Sequence, residues 1–325
     1  MPFMKTPRKF NVVAVGRAYT DIVAEVDRAF LDKYSIPLGA QRECGVAELT
    51  LIEADLLAKK IYAGGCSANT VAIIAAMGGS AGFFGKVCHD ASGEYFLADI
   101  KARNIEVCCH PYVENGEMSD TCLVFVTGEH RSFAYNCGCT NNFSYEDFSQ
   151  FDFNSAEFFL LEAHLLSSLE AKLALEKALE FAKDKCRTVI NLHGILDWKK
   201  NLETARLIAS SANIIVGNSI EQAAFSDALP NFSLTPMQML VTTHGKDGAE
   251  IVTANNHLHA PAITPKTFVN TAGCGDAFIG GFLFGLSNNK SLEESLNYGT
   301  HIAAAILEET GARPSLGRSF KVFCA

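Results

Sequence analysis

The sequence predicts an α/β fold: a mostly parallel central sheet covered by helices on both faces, with a small β lid. Three observations carry this. Short apolar, β-branched runs alternate with helical periods along most of the chain, the pattern of a parallel sheet buried on both sides. Two stretches break that alternation and read as strands of a separate small sheet. Hydrophobic residues make up 48% of the 325 residues and charged residues 19%, ample material for the core that such a sheet needs.

Six runs read as strands of the main sheet: residues 12–16, 81–87, 157–161, 188–192, 213–217 and 239–243. Helical periods lie between them, notably 68–77, 92–103, 169–185 and 203–210. The 169–185 stretch is rich in Ala, Leu, Glu and Lys, the composition of an amphipathic covering helix. The first break, residues 17–50, carries a short alternating strand from Asp21 onward. The second, 105–137, reads as successive antiparallel strands. It includes Thr121-Cys-Leu-Val-Phe-Val-Thr127, a Gly128-Glu129 turn and Arg131-Ser-Phe-Ala-Tyr-Asn136. No repeat, low-complexity linker or charge block divides the chain. It reads as one domain over 1–325 with two lid segments inserted.

Lys plus Arg number 27 and Asp plus Glu 36, a net charge of −9, which argues against a nucleic-acid partner. Any phosphate chemistry must therefore rest on local donors. No uninterrupted run of about 18 apolar residues occurs, so no membrane span is expected. The basic residues 1–10 lead straight into a strand without the apolar stretch of a signal peptide, and a cytoplasmic location is expected. Eleven cysteines, at no zinc-ligand spacing and without a CxxC pair, read as free thiols in a reducing compartment.

The strongest chemical signal is Val269-Asn270-Thr271-Ala272-Gly273-Cys274-Gly275-Asp276-Ala277-Phe278, entering an apolar helical stretch. A glycine-rich turn at a helix start leaves several N–H groups unpaired and pointing one way, which makes an anion site. Asp276 could cap that helix or accept a proton from a nucleophile beside the anion. A second signal is Ala63-Gly64-Gly65-Cys66-Ser67-Ala68-Asn69-Thr70. Its glycines admit a ligand close to the backbone, and Asn69 offers both a donor and an acceptor. The third, Gly16-Arg-Ala-Tyr-Thr-Asp21, follows the first strand, where ligands of parallel sheets sit. Asp21 could grip a diol or simply begin the next turn. Two further patterns follow later strands: Asn218-Ser-Ile-Glu221 and Thr243-His-Gly245-Lys-Asp-Gly248.

These patterns, in this order and spacing, resemble the PfkB family of ribokinase-like carbohydrate and nucleoside kinases. The resemblance spans nearly the whole chain, with signature regions at 64–79 and 270–284. Within the family the segments are most similar to adenosine kinases, at Asp21–Asp27 with Phe30–Ser35, at Thr121-Cys122, Thr127-Gly128 and Arg131-Ser132, and at 276–283. The resemblance implies a ribokinase-like three-layer sandwich and an ATP-dependent phosphotransfer. Asp276 would be the general base, and the N–H groups of Ala272, Gly273, Cys274 and Gly275 the anion hole. Asp21, Gly64, Gly65 and Asn69 would bind the acceptor, with Arg131, Phe133 and Tyr135 on the lid. Asn218, Thr243, Gly245 and Gly248 would line the nucleotide site. Asn218 and Glu221 would organise Mg²⁺ through water. A monovalent cation such as K⁺ is also implied by relatives, without assigned ligands.

The implied acceptor is the 5′-hydroxyl of a purine nucleoside, adenosine first, as in purine salvage. The alternatives are a free sugar of the ribose or fructose type, inosine or guanosine, and a silent ligand-binding relative. The expected partners are this small molecule and ATP, with no nucleic acid and no membrane. Monomer and homodimer stay open. Three departures stand out: Asn270 where the family has an acid, Cys274 for the common alanine, and Phe133 with Tyr135 where adenosine kinases carry smaller aliphatics. Two apart on a strand, those aromatics point together into the pocket or together away. Asp90 reads as a helix cap, His193, His244, His257 and His259 as loop or edge residues, and Arg313 as a cap of the last helix.

Overall fold

Parallel strands need long crossovers, and here helices supply most of them. The computed structural model describes residues 8–114, 118–195 and 197–320. The N-terminal residues 1–7 and Cys324, included in the sequence reading, lie outside these. The first third runs β1 (Phe10–Val15), β2 (Thr20–Glu25), α1 (Arg28–Lys33), β3 (Gln41–Glu43), α2 (Val46–Ala54), β4 (Lys60–Ala63), α3 (Cys66–Ala76), β5 (Ala81–Phe84) and α4 (Ala91–Ala102). It continues through β6 (Glu106–Val107), β7 (Thr121–Thr127), β8 (His130–Asn136), α5 (Glu146–Ser149), β9 (Ala156–Glu162), α6 (Leu169–Ala182), β10 (Arg187–Asn191) and α7 (Leu202–Ser211). The last part is β11 (Ile214–Asn218), α8 (Ser219–Ala228), β12 (Met239–Thr243), β13 (Ala249–Thr253), β14 (His257–Ala260), α9 (Cys274–Ser287) and α10 (Leu292–Ile306).

All six expected strands lie in one nine-stranded sheet, ordered β14-β13-β12-β11-β10-β9-β1-β5-β6. From β6 to β12 every pairing is parallel, and β13 and β14 add an antiparallel edge. Alternate residues feed two cores. Val12, Ala14, Phe158, Leu160 and Val216 pack under α3, α9 and α10, while Val13, Val15, Phe159, Leu161 and Ile215 pack under α6, α7 and α8. Each of the Val, Leu, Ile and Phe side chains, fully buried, contributes about 1.5–3 kcal/mol. The result is helix, sheet and helix in three layers.

The second sheet runs β3-β8-β7-β2-β4. It corrects the sequence reading in three places. Glu106–Val107 leaves the antiparallel series and joins the main sheet parallel to β5. Strand β7 runs parallel to β2, so only the β7–β8 hairpin is antiparallel within residues 105–137. Strand β4 falls beyond residue 50, and α1 and α2 occupy much of the first inserted segment. Asp27 caps α1 by accepting the Phe30 N–H at 2.8 Å. Leu31, Leu49 and Ile52 from these helices cover Ile22, Leu123, Phe125 and Ala134 on the outer face of the sheet. Its inner face looks toward the carboxyl ends of the main strands. The ten cysteines of the described residues are free thiols, and no described helix is long and apolar enough to cross a membrane.

Candidate active site

The chemistry gathers at the N-terminus of α9. Gly273 caps this helix at φ +75°, and a Cβ there would sit 2.3 Å from the Ala312 carbonyl oxygen, so the turn requires glycine. The N–H groups of Gly273, Gly275 and Asp276 make no hydrogen bond with any described residue, as expected for a helix start left open to an anion. This corrects the expected run of four donors. Ala272 N–H is committed to Asn270 Oδ1 at 2.7 Å, and Cys274 N–H turns back to the Thr271 carbonyl at 3.3 Å.

The same contacts explain Asn270. Its Nδ2 donates to the carbonyls of Glu309 (2.7 Å) and Thr310 (3.2 Å), fastening the loop to the end of α10. A carboxylate there would face two carbonyl oxygens with no proton to give. The amide suits its surroundings, and the anion loop survives the loss of charge.

Asp276 is buried, and its Oδ2 accepts from Asn69 Nδ2 at 2.8 Å. Burial raises its pKa, opposed by the Asn69 hydrogen bond and the nearby His193. Asn69, expected to bind acceptor hydroxyls, lines the acceptor cavity and is also engaged within the protein. Its Oδ1 accepts from Arg313 Nε at 2.8 Å, so it ties the carboxylate to a buried guanidinium. Arg313 also binds the Gly64 carbonyl and Asp99. It is a central support of the site, not the helix cap the sequence suggested.

Asp21 stands beside this group, its pKa pushed up to about 6 by burial and by Asp276, with Arg313 pulling the other way. A Cβ on Gly64 would meet Asp21 Oδ2 at 2.3 Å, and one on Gly65, at φ +92°, would meet the Arg17 carbonyl at 2.1 Å. Both glycines are therefore spatial requirements of the wall.

Three cavities meet here. One, of about 660 Å³, is lined by Asp21, Gly65, Asn69, Phe133, Tyr135 and Asp276, and also by Arg17, Tyr19, Glu162 and His164. Phe133 and Tyr135 thus point together inward. Arg131 shares their face of β8 but does not line this cavity. A second cavity, about 650 Å³, is lined by Asn218, Thr243, Gly245, Gly248, Thr271, Cys274 and Gly275. A third, about 100 Å³, lies between them and is bounded by Asn218, Glu221, His193, Gly275 and Asp276. His193, read from sequence as a plain loop residue, faces both the first and third cavities.

The Asn218–Glu221 motif forms a capping box on α8. Asn218 Oδ1 accepts from Ile220 and Glu221, and Glu221 Oε2 accepts from the Asn218 N–H at 2.8 Å. Glu221 Oε1 makes no hydrogen bond and lies 3.7 Å from His193 Nδ1. Among the described residues no group of three or more His, Cys, Asp or Glu could hold a metal directly. A carboxylate oxygen that accepts no hydrogen bond from the described residues, beside a cavity of a few waters, fits Mg²⁺ held through its hydration shell.

Residues 58–317 match the family model of the pfkB family carbohydrate kinases. The chain belongs to this family. The pfkB kinases similar to it include adenosine kinase 1 of Arabidopsis thaliana, 26% identical, with 92% of this chain and 94% of that one aligned. A 5-dehydro-2-deoxygluconokinase of Halalkalibacterium halodurans is 24% identical over 96% and 94%. Among solved pfkB-fold structures, adenosine kinase from Sinorhizobium meliloti superposes with a TM-score of 0.84 at 25% identity, covering 97% of this chain and 98% of that one. Family membership makes the chain a kinase, a phosphotransferase using ATP. In this pfkB kinase, the residues legible in sequence were those of the glycine motifs. Arg17, Tyr19, Glu162, His164 and His193 were missed. Arg17 and Tyr19 lie inside the Gly16–Asp21 motif, so position could have flagged them.

Proposed function

We propose that this chain is an ATP-dependent kinase that transfers the γ-phosphate to the 5′-hydroxyl of a purine nucleoside. The observation that carries the reading is that Asp276 borders both the acceptor cavity and the small third cavity, which shares Asn218, Thr243 and Gly275 with the second large one, beside three N–H groups unpaired among the described residues. ATP fits the cavity lined by Thr243, Gly245 and Gly248, its γ-phosphate at the start of α9. The acceptor fits the other, its hydroxyls against Asp21 and the Gly65 turn, under the aromatics of a second sheet that acts as a lid. Asp276 takes the hydroxyl proton as the oxygen attacks phosphorus. The bond to the β-phosphate oxygen breaks, and ADP leaves. The N–H groups of Gly273, Gly275 and Asp276 hold the charge on the transferring oxygens. Glu221 and Asn218 would hold Mg²⁺ through its water shell, and the bound ion would supply charge neutralisation on the phosphates. The intact base, held by Asn69, disfavours a silent relative.

The relatives' names leave two acceptor types, nucleoside and sugar. Three aromatic side chains in the acceptor cavity, Tyr19, Phe133 and Tyr135, favour a planar base. The deciding experiment is an ATP-consumption screen over adenosine, inosine, guanosine, ribose and fructose. Turnover of a sugar and of no nucleoside would overturn the reading.

Two further outcomes are expected. Both Asp21 and Asp276 must be ionised to accept hydrogen bonds or protons, and burial raises both pKa values. Protonation therefore removes activity: kcat/KM for the acceptor is full above about pH 7 and falls as pH drops through about 6. A profile flat to pH 4.5 would contradict the assignment. Because α1 and α2 cover the outer face of the second sheet, that face is not open to a partner copy. Light scattering is expected to give the mass of one chain, and a stable dimer would count against that.

A further inference from the structure

Resting on the nucleoside reading above, we propose that the acceptor is a 6-oxopurine nucleoside, inosine or guanosine, and that Arg17 selects it over adenosine. Arg17 stands just past the end of β1 in the wall of the acceptor cavity. Its Nε donates to His164 Nε2 at 2.6 Å, and its Nη1 lies 3.4 Å from Asp120 Oδ2. Nη2 makes no hydrogen bond with any described residue, although it belongs to a side chain on the cavity. A guanidinium only donates, so whatever meets this edge must accept. His164 holds the group by accepting at Nε2. Burial and the neighbouring Arg17 depress the His164 pKa well below its ordinary value, which keeps that nitrogen free to accept.

The charge of Arg17 is already answered. Asp120 is fully buried, and its carboxylate also takes the Thr140 hydroxyl and the N–H groups of Cys139 (3.1 Å) and Thr140 (3.2 Å). Asp21, Glu43, Glu162 and Asp276 line the same cavity. An acceptor bearing a carboxylate would meet four acids and a guanidinium already paired. A neutral group with carbonyl and ring-nitrogen acceptors suits the edge better.

A second observation lies next to the first. Asn141 directly follows Thr140, lines the cavity, and its Oδ1 is buried without a partner. Donor and acceptor thus belong to side chains lining the same cavity, with Tyr19, Phe133 and Tyr135 available to a flat ring. A 6-oxopurine offers acceptors at O6 and N7 and a donor at N1. Nη2 carries two N–H groups: the adjacent O6 and N7 of a 6-oxopurine can take both, whereas adenine can take one at N7 while its 6-amino group sets donor against donor at the other. The Asn141 amide can turn over to suit either base. The guanidinium cannot. Discrimination therefore falls on Arg17, because a buried donor left unpaired is costly.

The test compares kcat/KM with saturating ATP for inosine, guanosine, adenosine and purine riboside, which lacks any 6-substituent. Inosine and guanosine are expected to exceed adenosine by roughly 10-fold or more, the scale of one well-made donor–acceptor pair. Purine riboside should fall with adenosine, which needs no variant and so no assumption about folding. Arg17→Gln, whose amide can donate or accept, should bring inosine and adenosine within a few-fold of each other. Adenosine preferred by, or equal with, inosine in the parent enzyme would overturn this inference and leave the nucleoside kinase standing. An unchanged preference in Arg17→Gln would overturn the role of Arg17. Turnover of ribose, fructose or a sugar acid, and of no nucleoside, would instead sink the nucleoside reading itself.

Discussion

Replacing Asp276 by Asn is expected to lower kcat by roughly 10²–10⁴-fold, the usual scale for losing a general base. The substitution keeps the shape of the side chain. One end can still accept the 2.8 Å hydrogen bond from Asn69, so the first turn of α9 stays in place. What is lost is a site for the proton. The donors of the anion hole are backbone groups at 273, 275 and 276, and the substitution does not touch them. ATP affinity, measured by calorimetry without acceptor, should therefore change by no more than a few-fold. The acid limb separates this effect from a general loss of structure. In D276N the remaining rate should keep only the part of the limb that belongs to Asp21, moved below about pH 6 because the Asp276 charge no longer raises its pKa. Turnover at close to the parent rate would mean that the proton goes elsewhere.

The parts legible in the sequence are those whose cause is local. Val12–Val15 reads as a buried strand because each residue is apolar and the strand is covered on both faces. Gly64, Gly65 and Gly273 read as turns because the backbone there tolerates no Cβ. The pairing of the second sheet was not legible, since β7 and β2 meet across about a hundred residues and nothing in either strand sets their direction. The site shows the same divide. Arg17 sat inside a motif already in view, but its role depends on Asp120 and His164, 103 and 147 residues away. Asn69 was seen as a ligand because it can donate and accept. Its hydrogen bonds within the protein, which spacing could not show, lie 207 residues off at Asp276 and 244 off at Arg313. Motif spacing shows which residues share a loop; it does not show which of them are already spoken for.

Arg313 gives the second large effect. Arg313→Met should cost about 3 kcal/mol of stability, the lower end of the range for breaking a buried ionic group on one side. The lower end applies because Asp99 keeps Arg103, which donates to both its oxygens at 2.9 Å. Two acceptors are not so protected. The Gly64 carbonyl and Asn69 Oδ1 both lose their donor inside the protein, and no other donor to either is found among the described residues. The apolar stem is partly replaced, since the guanidinium packs 5.2 Å from the Phe96 ring centroid and a thioether can occupy that space. The functional consequence is separate from the loss of stability. Arg313 is the group that pulls the Asp21 pKa down, so without it burial and the Asp276 charge act unopposed and the acid limb of kcat/KM moves upward from about 6. Asn69, no longer held at Oδ1, can turn away from Asp276 and lower kcat as well. Arg313→Lys keeps a charge but not the fork that reaches Asn69, Gly64 and Asp99 together. It should restore part of the pH profile while recovering less of the stability. Urea denaturation and the pH dependence of kcat/KM, measured on both variants, check the two halves independently. An R313M midpoint and acid limb both equal to the parent's would remove Arg313 from the site.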